Sequence, residues 1–417
     1  MNDFFAGVQG QALKQLAETL WNRGYKVFLA GGCVRDSLLG RPYKDLDVVT
    51  DASVETIQQI FVKTIPVGIQ FGIVRVIVSG VEFEVARFRK DGPYVDGRHP
   101  EYVEFTGPEE DAARRDFTVN ALFYDLRSQQ ILDFVQGRAD LDQKILRAVG
   151  DPRKRFAEDY LRLLRLLRFA CQLQFEVESE TAKAAAELTP HLAQISGERI
   201  GVEITKALAA DPLKALAGFA LWDLPKILFP HWGDSAQRTS NTSWMCLKGR
   251  DQVGWLMAMW ILNFQKEIGE RSLNCASESD WSYNKDYLLL VDEIMRRFRL
   301  SKNDARLLKE VGAVLAWPSL WGRLRCGVRG ALAQSEHFSG LTEAAEQLSV
   351  WTPEMIREVS EWRSQAPVQC LLLGQDVVGV SPEQRGLVLK ESLYLQYEGV
   401  LLNREQALVW LQGRSQT

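Results

Sequence analysis

Apolar positions along the first ninety residues of the chain switch between two periods. Residues 11–23 carry them at helical spacing, and the short run KVFLA (26–30) stops at Gly31-Gly32. Residues 28–51, FLAGGCVRDSLLGRPYKDLDVVTD, are therefore expected to form strand, glycine turn, helix and second strand. A helix over 53–63 with Ser53 as N-cap comes next. In residues 68–89 the period becomes two. Val81, Phe83 and Val85 alternate with Glu82 and Glu84, which predicts a hairpin turning at Ser79-Gly80 with one apolar and one acidic face. These elements together predict a small α+β domain reaching to about residue 150.

From residue 156 onward strand signals become rare. Helical spacing runs through 156–174, 180–189, 198–210, 213–222, 252–268, 285–299, 302–316 and 403–412. Two Ser/Asn/Trp-rich stretches within 231–285 read as loops between helices. The expected organisation is a head (1–150), a helical neck (151–212), a helical body (213–300) and a helical tail (301–417).

Composition narrows the class. The 417 residues are 46% hydrophobic and 25% charged with a formal net charge of −4, which disfavours a surface that attracts nucleic acid everywhere and leaves room for a local basic face. Six cysteines are scattered without a Cys-x-x-Cys, and four histidines offer no zinc spacing, so free thiols in a reducing cytosol are expected. The first twenty residues lack a signal-peptide pattern and no run of ~18 apolar residues occurs. A cytoplasmic protein with no membrane partner is expected.

The candidate chemistry begins at Asp45 and Asp47. Side chains two apart on a strand point the same way, and two adjacent carboxylates are tolerated only where water or a cation screens them. Hard divalent cations such as Mg2+ take one or two carboxylates plus substrate phosphates. Gly31 and Gly32 open a helix whose free N–H groups suit phosphate. Either half alone is an ordinary turn or strand edge; the pair at this spacing, with Arg35 just beyond, points to metal-assisted nucleotidyl transfer. Glu84 is a candidate third carboxylate, with Glu82 as competitor. In EEDAARRDFTVNALFYD (109–125), Arg114 and Arg115 offer forked donors for triphosphate and Asp116 an acceptor for a ribose hydroxyl. In DPRKRFAEDYLRLLRLLRFA (151–170), Asp159, Arg162, Arg165 and Arg168 recur every third residue on a helix otherwise rich in leucine. Such a helix is expected to be buried on most sides, and its arginines then need anions, of which a nucleotide would be one.

Taken together, GGCVRDSLLGRPYKDLDVVT, PVGIQFGIV, EVARFR, EEDAARRDFTVNALFYD, FAEDYLRLLRLLRFA and SGERIGVEITKAL resemble the class II tRNA nucleotidyltransferases. This is the CCA-adding enzyme and bacterial poly(A) polymerase family of the polymerase-β superfamily. The likeness runs almost continuously to about residue 210, and residues 370–411 weakly resemble the CCA-adding tail. It implies an α+β fold, with a small mixed-sheet polymerase-β-type head followed by an elongated all-helical neck, body and tail. It further implies that Asp45 and Asp47 bind Mg2+ with Glu84 assisting, and that the Gly31-Gly32 turn and Arg35 meet the triphosphate. Arg115 would hold the nucleotide and Asp116 its ribose. Asp159, Arg162, Arg165 and Arg168 would line the nucleotide pocket, the first two reading the base, with Glu198, Arg199 and Glu203 bracing it. Aspartate accepts from the amine of C or A, whereas U and G would oppose it with a carbonyl, so CTP and ATP are admitted without a template. The implied partners are CTP, ATP and the acceptor end of tRNA.

Residues 90–104 resemble the loop that switches such a pocket from CTP to ATP, which disfavours a CC-only enzyme. A dedicated A-adding enzyme is the main rival, and poly(A) polymerase a weaker one. Two further classes are a non-catalytic relative and a transferase acting on a small molecule such as an aminoglycoside. The intact Asp45, Asp47 and Arg115 speak against the former, and the long helical arm against the latter. The basic stretches 296–309 and 322–330 are candidate RNA contacts.

Overall fold

Gly31 adopts φ +74°, a conformation that costs an L side chain steric strain, and here it turns β1 (Val27–Ala30) directly into α2 (Gly32–Leu38). The computed structural model describes residues 4–43, 45–94, 100–228, 285–299, 321, 324–334, 352–378 and 381–414. They fall into two compact units, Met1–Ile195 and Ser196–Thr417.

The first unit is built on a seven-stranded mixed sheet in the order β3-β4-β5-β2-β1-β8-β9. Its strands are β1, β2 (Val48–Thr50), β3 (Thr64–Gly68), β4 (Ile73–Val78), β5 (Val81–Arg87), β8 (Phe123–Asp125) and β9 (Gln130–Leu132). The predicted hairpin is present: β4 and β5 pair antiparallel with Val78 opposite Val81, and Ser79 and Gly80 both turn through positive φ. Phe83 and Val85 are buried while Glu82 and Glu84 face solvent, as their alternation requires. β2 lies parallel to β5 and antiparallel to β1, with Val48 opposite Val85 and Leu29. The sheet core gathers Phe28, Val49, Phe88 and Phe123, with Phe28 and Phe123 each tilted edge-on against Phe88 at 5.3 and 5.8 Å. Burying one such ring contributes roughly 1.5–3 kcal/mol.

Helices cover and extend this sheet. They are α1 (Gly7–Trp21), α2, α3 (Val54–Ile60), α4 (Pro108–Ala113), α5 (Gly137–Gln143), α6 (Pro152–Glu158), α7 (Leu161–Leu173) and α8 (Ser179–Leu188). Ser53 caps α3 as expected, its hydroxyl accepting from the Thr56 N–H at 3.2 Å. A separate two-stranded ribbon, β6 (Arg89–Asp91) with β7 (Val103–Phe105), forms the stem of the 90–104 stretch, and β10 (Ile145–Leu146) runs parallel to β11 (Glu176–Val177).

Among its described residues the second unit contains helices and no strand: α9 (Gly197–Ala210), α10 (Pro212–Leu221), α11 (Leu224–Leu228), α12 (Lys285–Phe298), α13 (Cys326–Ala333), α14 (Pro353–Ser364), α15 (Pro382–Tyr397) and α16 (Arg404–Arg414). The helices expected over 252–268 and 302–316 lie outside the described residues. No helix among the described residues is long and apolar enough to cross a membrane. Glycines set the closest helix contacts in this unit. A Cβ added at Gly327 of α13 would overlap the Tyr394 carbonyl oxygen of α15, and Gly330 faces the rings of Tyr397 and Trp362. Gly327→Ala is therefore expected to destabilise the protein by ~1–3 kcal/mol, read as a lowered denaturant midpoint, because a backbone carbonyl cannot move aside as a side chain would.

Candidate active site

The two aspartates sit just ahead of β2, on the extended segment leading into it, rather than within the strand itself. The Ala30 N–H donates to the Asp47 carbonyl at 3.0 Å, so the β1 ladder continues one rung past the strand. Leu46 points into the core at 4% exposure while Asp45 and Asp47 remain exposed, so the alternation places both carboxylates on one side. The β2–β5 register continued one residue sets Glu84 beside Asp47. Asp47 keeps contact with solvent, yet partial desolvation and then the charge of Glu84 push its carboxyl above the ordinary range; Asp45 adds to this and Arg115 opposes it. Glu82 pairs with Arg75 at 2.9 Å, so of the two glutamates it is Glu84 that neighbours Asp47. Beneath the turn, the Cys33 thiol is pushed up to about 12, mainly by burial and then by Asp47, and donates to the Ala30 carbonyl.

Asp45 and Glu84 lie close enough for their charges to act on the Asp47 carboxyl, with Arg115 also in reach. Among the described residues no group of three or more histidine, cysteine, aspartate or glutamate side chains is placed to hold a metal ion. One or two carboxylates such as Asp45 and Asp47 would suit Mg2+, which takes few protein ligands and keeps water and substrate phosphate beside them.

The arginines opposite are held by two buried carboxylates. Asp111 is fully buried and accepts from Arg114 Nε and Nη2 at 2.9 and 2.6 Å and from Arg115 Nε and Nη2 at 3.1 and 3.0 Å. Burial alone would raise its pKa, but Arg115 and Arg114 outweigh it and hold the carboxyl below the usual range. Arg115 also donates to the Asn120 carbonyl at 3.2 Å and lies over Phe123 at 4.8 Å. Its Nη1 stands 3.0 Å from where a Cβ on Gly31 would be, so the glycine turn and this guanidinium share one space. Asp116 is 8% exposed and accepts from Arg165 Nε and Nη2 at 2.8 and 2.6 Å, and from the Asn120 amide at 3.1 Å. Although burial opposes it, Arg165 keeps this carboxyl far below the usual range. The Asn120 side-chain oxygen takes a bond from Arg35 Nη1 at 2.5 Å, and Arg35 is also forked onto Asp36 at 2.8 and 2.9 Å. Asn120 thus joins Arg35, Arg115 and Asp116. Its turn is fixed by Thr118, whose hydroxyl donates to buried Asp140 at 2.7 Å.

The expected single helix over 156–174 is two helices. Asp159 breaks the run in extended backbone (φ −149°), its carboxylate accepting the Leu161 N–H at 3.1 Å and its carbonyl the Arg162 N–H at 2.9 Å. An aspartate side chain competes with the helix for backbone donors and so favours a helix start over an interior. Arg162, Arg165 and Arg168 follow on α7, whose leucines are buried as expected. The anions expected for these arginines include the protein's own. Glu158 receives Arg162, which also donates to the Arg155 and Arg114 carbonyls at 2.7 and 3.3 Å, and Asp116 receives Arg165. Arg168 Nη1 donates to Gln172 at 3.4 Å. Arg41, on the segment before Asp45, caps the far end of α7 at the Gln172 and Leu173 carbonyls, 2.9 and 3.3 Å away. The predicted nucleotide-binding residues from Gly31 to Arg168 therefore belong to one unit with Asp45, Asp47 and Glu84.

Other expectations fare differently. Arg325, in the basic stretch 322–330, is committed to Glu391 and Glu398 at 2.8 Å each, and Arg329 to Glu358 at 2.8 Å, so these cations hold helices together. Of the stretch 296–309, residues 300–309 lie outside the described residues, and Arg299 pairs with Glu198 at 2.7 Å. Residues 95–99 of the expected switching loop also lie outside them. Sequence reasoning missed Asp111 and Asn120. The signal for both was their spacing of four from Arg115 and Asp116 within one polar cluster.

Comparison with known proteins now decides the family. Residues 27–147 match the poly A polymerase head domain, and residues 174–232 match the probable RNA and SrmB-binding site of polymerase A. A CCA-adding enzyme of Pediococcus pentosaceus is 36% identical over 296 residues, covering 70% of this chain and 73% of the relative. The chain belongs to the CCA-adding enzyme and poly(A) polymerase family of nucleotidyltransferases. The CCA-adding enzyme of Lactiplantibacillus plantarum is 42% identical over 269 residues, 63% of this chain and 65% of that protein, and that of Enterococcus faecalis is 46% identical over 46% of its length. The match thus spans less than two thirds of those two relatives. Among solved structures, the Bacillus stearothermophilus CCA-adding enzyme in complex with CTP shares the fold across 99% of this chain and 98% of its own, with TM-score 0.65 and 26% identity.

Two outcomes follow from the charges of the site. Asp116 has a depressed pKa, so its contribution to stability is present above the unfolded value near ~3.9 and fades as pH falls below it. Replacing its partner, Arg165→Gln, removes the strongest of the groups that hold the carboxyl ionised, while the Asn120 amide and Phe117 N–H remain, and should lower stability at neutral pH and shrink the further loss on acidification, measurable by urea unfolding across a pH series. Asp47 carries the opposite sign. Asp47→Asn is expected to preserve or raise the melting temperature in metal-free buffer, and to abolish any rise that wild type shows on adding Mg2+.

Proposed function

We propose that this protein completes the CCA end of tRNA, adding C and A residues from CTP and ATP without a nucleic-acid template and releasing pyrophosphate. The observation that carries this reading is the meeting, within one unit, of the Asp45–Asp47–Glu84 carboxylates with Arg115, itself locked by Asp111 and the glycine turn. Such a site concentrates negative charge where a metal binds and positive charge where a triphosphate lies.

In this reading Asp45 and Asp47 hold Mg2+ with Glu84 assisting, and the bound ion supplies charge neutralisation at the reacting phosphates. The N–H groups at the Gly31-Gly32 turn and Arg115 orient the triphosphate. Asp116, already kept ionised by Arg165, accepts from the ribose. Asp159 and Arg162 read the base edge, the carboxylate favouring the exocyclic amine of C or A over the carbonyl of U or G at ~1–3 kcal/mol for an unpaired group. The RNA 3′-hydroxyl attacks the α-phosphate and pyrophosphate leaves. The names of the relatives support CCA addition, and the head-domain match supports the nucleotidyl-transfer chemistry.

The test offers three tRNAs, ending at the discriminator base, at C and at CC, with CTP alone, ATP alone or both. Completion of all three to CCA is expected, with loss of incorporation in Asp47→Ala while its circular dichroism stays unchanged. Addition only to the CC-ended tRNA would assign the protein as an A-adding enzyme instead, and long A-tails would assign it as a poly(A) polymerase.

A further inference from the structure

Phe169 is almost fully buried on α7, and three guanidinium groups gather on its ring. Arg168 lies 4.1 Å from the ring centroid, Arg35 5.2 Å and Arg165 5.4 Å. Arg165 reaches the ring as its i−4 neighbour on the helix, and Arg35 arrives from α2, just past the Gly31 turn. Phe117 packs against the same ring in a T-shaped pair, centroids 5.8 Å apart at 79°. Phe117 itself follows Asp116 directly, so the same ring is braced by the segment that anchors Arg165.

Three like charges around one point repel each other. Arg35 pairs with Asp36 and Arg165 with Asp116, and Arg168 Nη1 donates to the Gln172 side-chain oxygen. The ring quadrupole is the element that all three share. Each cation within about 6 Å of an aromatic face gains electrostatic attraction, more so where water is excluded. A leucine of similar volume would fill the same space without that attraction.

We infer that Phe169 is a positioning residue, whose ring face holds Arg35, Arg165 and Arg168 together as a preformed anion-binding group for the nucleoside triphosphate. This rests on the function proposed above. An arginine already oriented loses less freedom when a phosphate arrives, so affinity depends on the ring's electrons as well as its volume.

The experiment replaces Phe169 in the full chain with mono-, di- and trifluorinated phenylalanine, which drain the ring face while nearly preserving its shape. Dissociation constants for CTP and for ATP are measured by equilibrium titration, together with KM, kcat and the melting temperature. The expected result is a stepwise rise in dissociation constant and KM with each fluorine, roughly three- to tenfold across the series, with a smaller change in kcat. Phe169→Leu should match the trifluorinated protein. A flat series, or losses that follow melting temperature rather than fluorine number, would overturn the inference while wild-type nucleotide transfer left the proposed function standing. A wild-type chain that binds neither nucleotide would overturn both.

Discussion

A carboxylate taken out of water must meet cations or give up its charge, and two such groups, Asp111 and Asp116, organise this protein's head. Each sits where burial alone would favour the neutral acid, and each is held ionised by forked arginines. Because an Arg–carboxylate fork has fixed geometry, the pairing also sets direction. Asp111 aims Arg115 across the glycine turn toward Asp47, and Asp116 ties α7 to the same loop through Arg165. Asn120 then links the two halves with one amide and one carbonyl.

Asp45, Asp47 and Glu84 are treated in the opposite way. They stand on β5 and the segment leading into β2, the adjacent inner strands of the sheet, with like charges close together, and Asp47 is pushed toward its protonated form. Nothing in the sheet requires acids there; Leu46 and Val48 supply the packing on the inner face. Repulsion of this kind lowers stability and is sustained where a ligand relieves it. Satisfied buried anions on one side and unsatisfied exposed ones on the other give the site its polarity.

Much of this was legible in the residue pattern because it depends on short-range physics. The β4–β5 hairpin, the Ser53 cap and the positive-φ glycine at position 31 each follow from alternation, capping chemistry or steric permission within a few residues. Other features were hidden. The helix over 156–174 is broken because the Asp159 side chain wins local backbone donors, a competition that leucine spacing does not reveal. Arg325 and Arg329 read along the chain as part of a basic stretch, and only the fold shows them paired with Glu391, Glu398 and Glu358, distant in sequence.

What the chain determined by itself was the inventory: which residues are acidic, basic or glycine, and on which face of a local element each would lie. Tertiary structure decided the pairings. Parallel alignment of β2 with β5 chose Glu84 over Glu82 as the neighbour of Asp47, and the packing of α7 chose Asp116 as the partner of Arg165. Periodicity governs contacts a few residues apart, whereas a Coulomb interaction or a hydrogen bond depends on distances that only the folded chain sets.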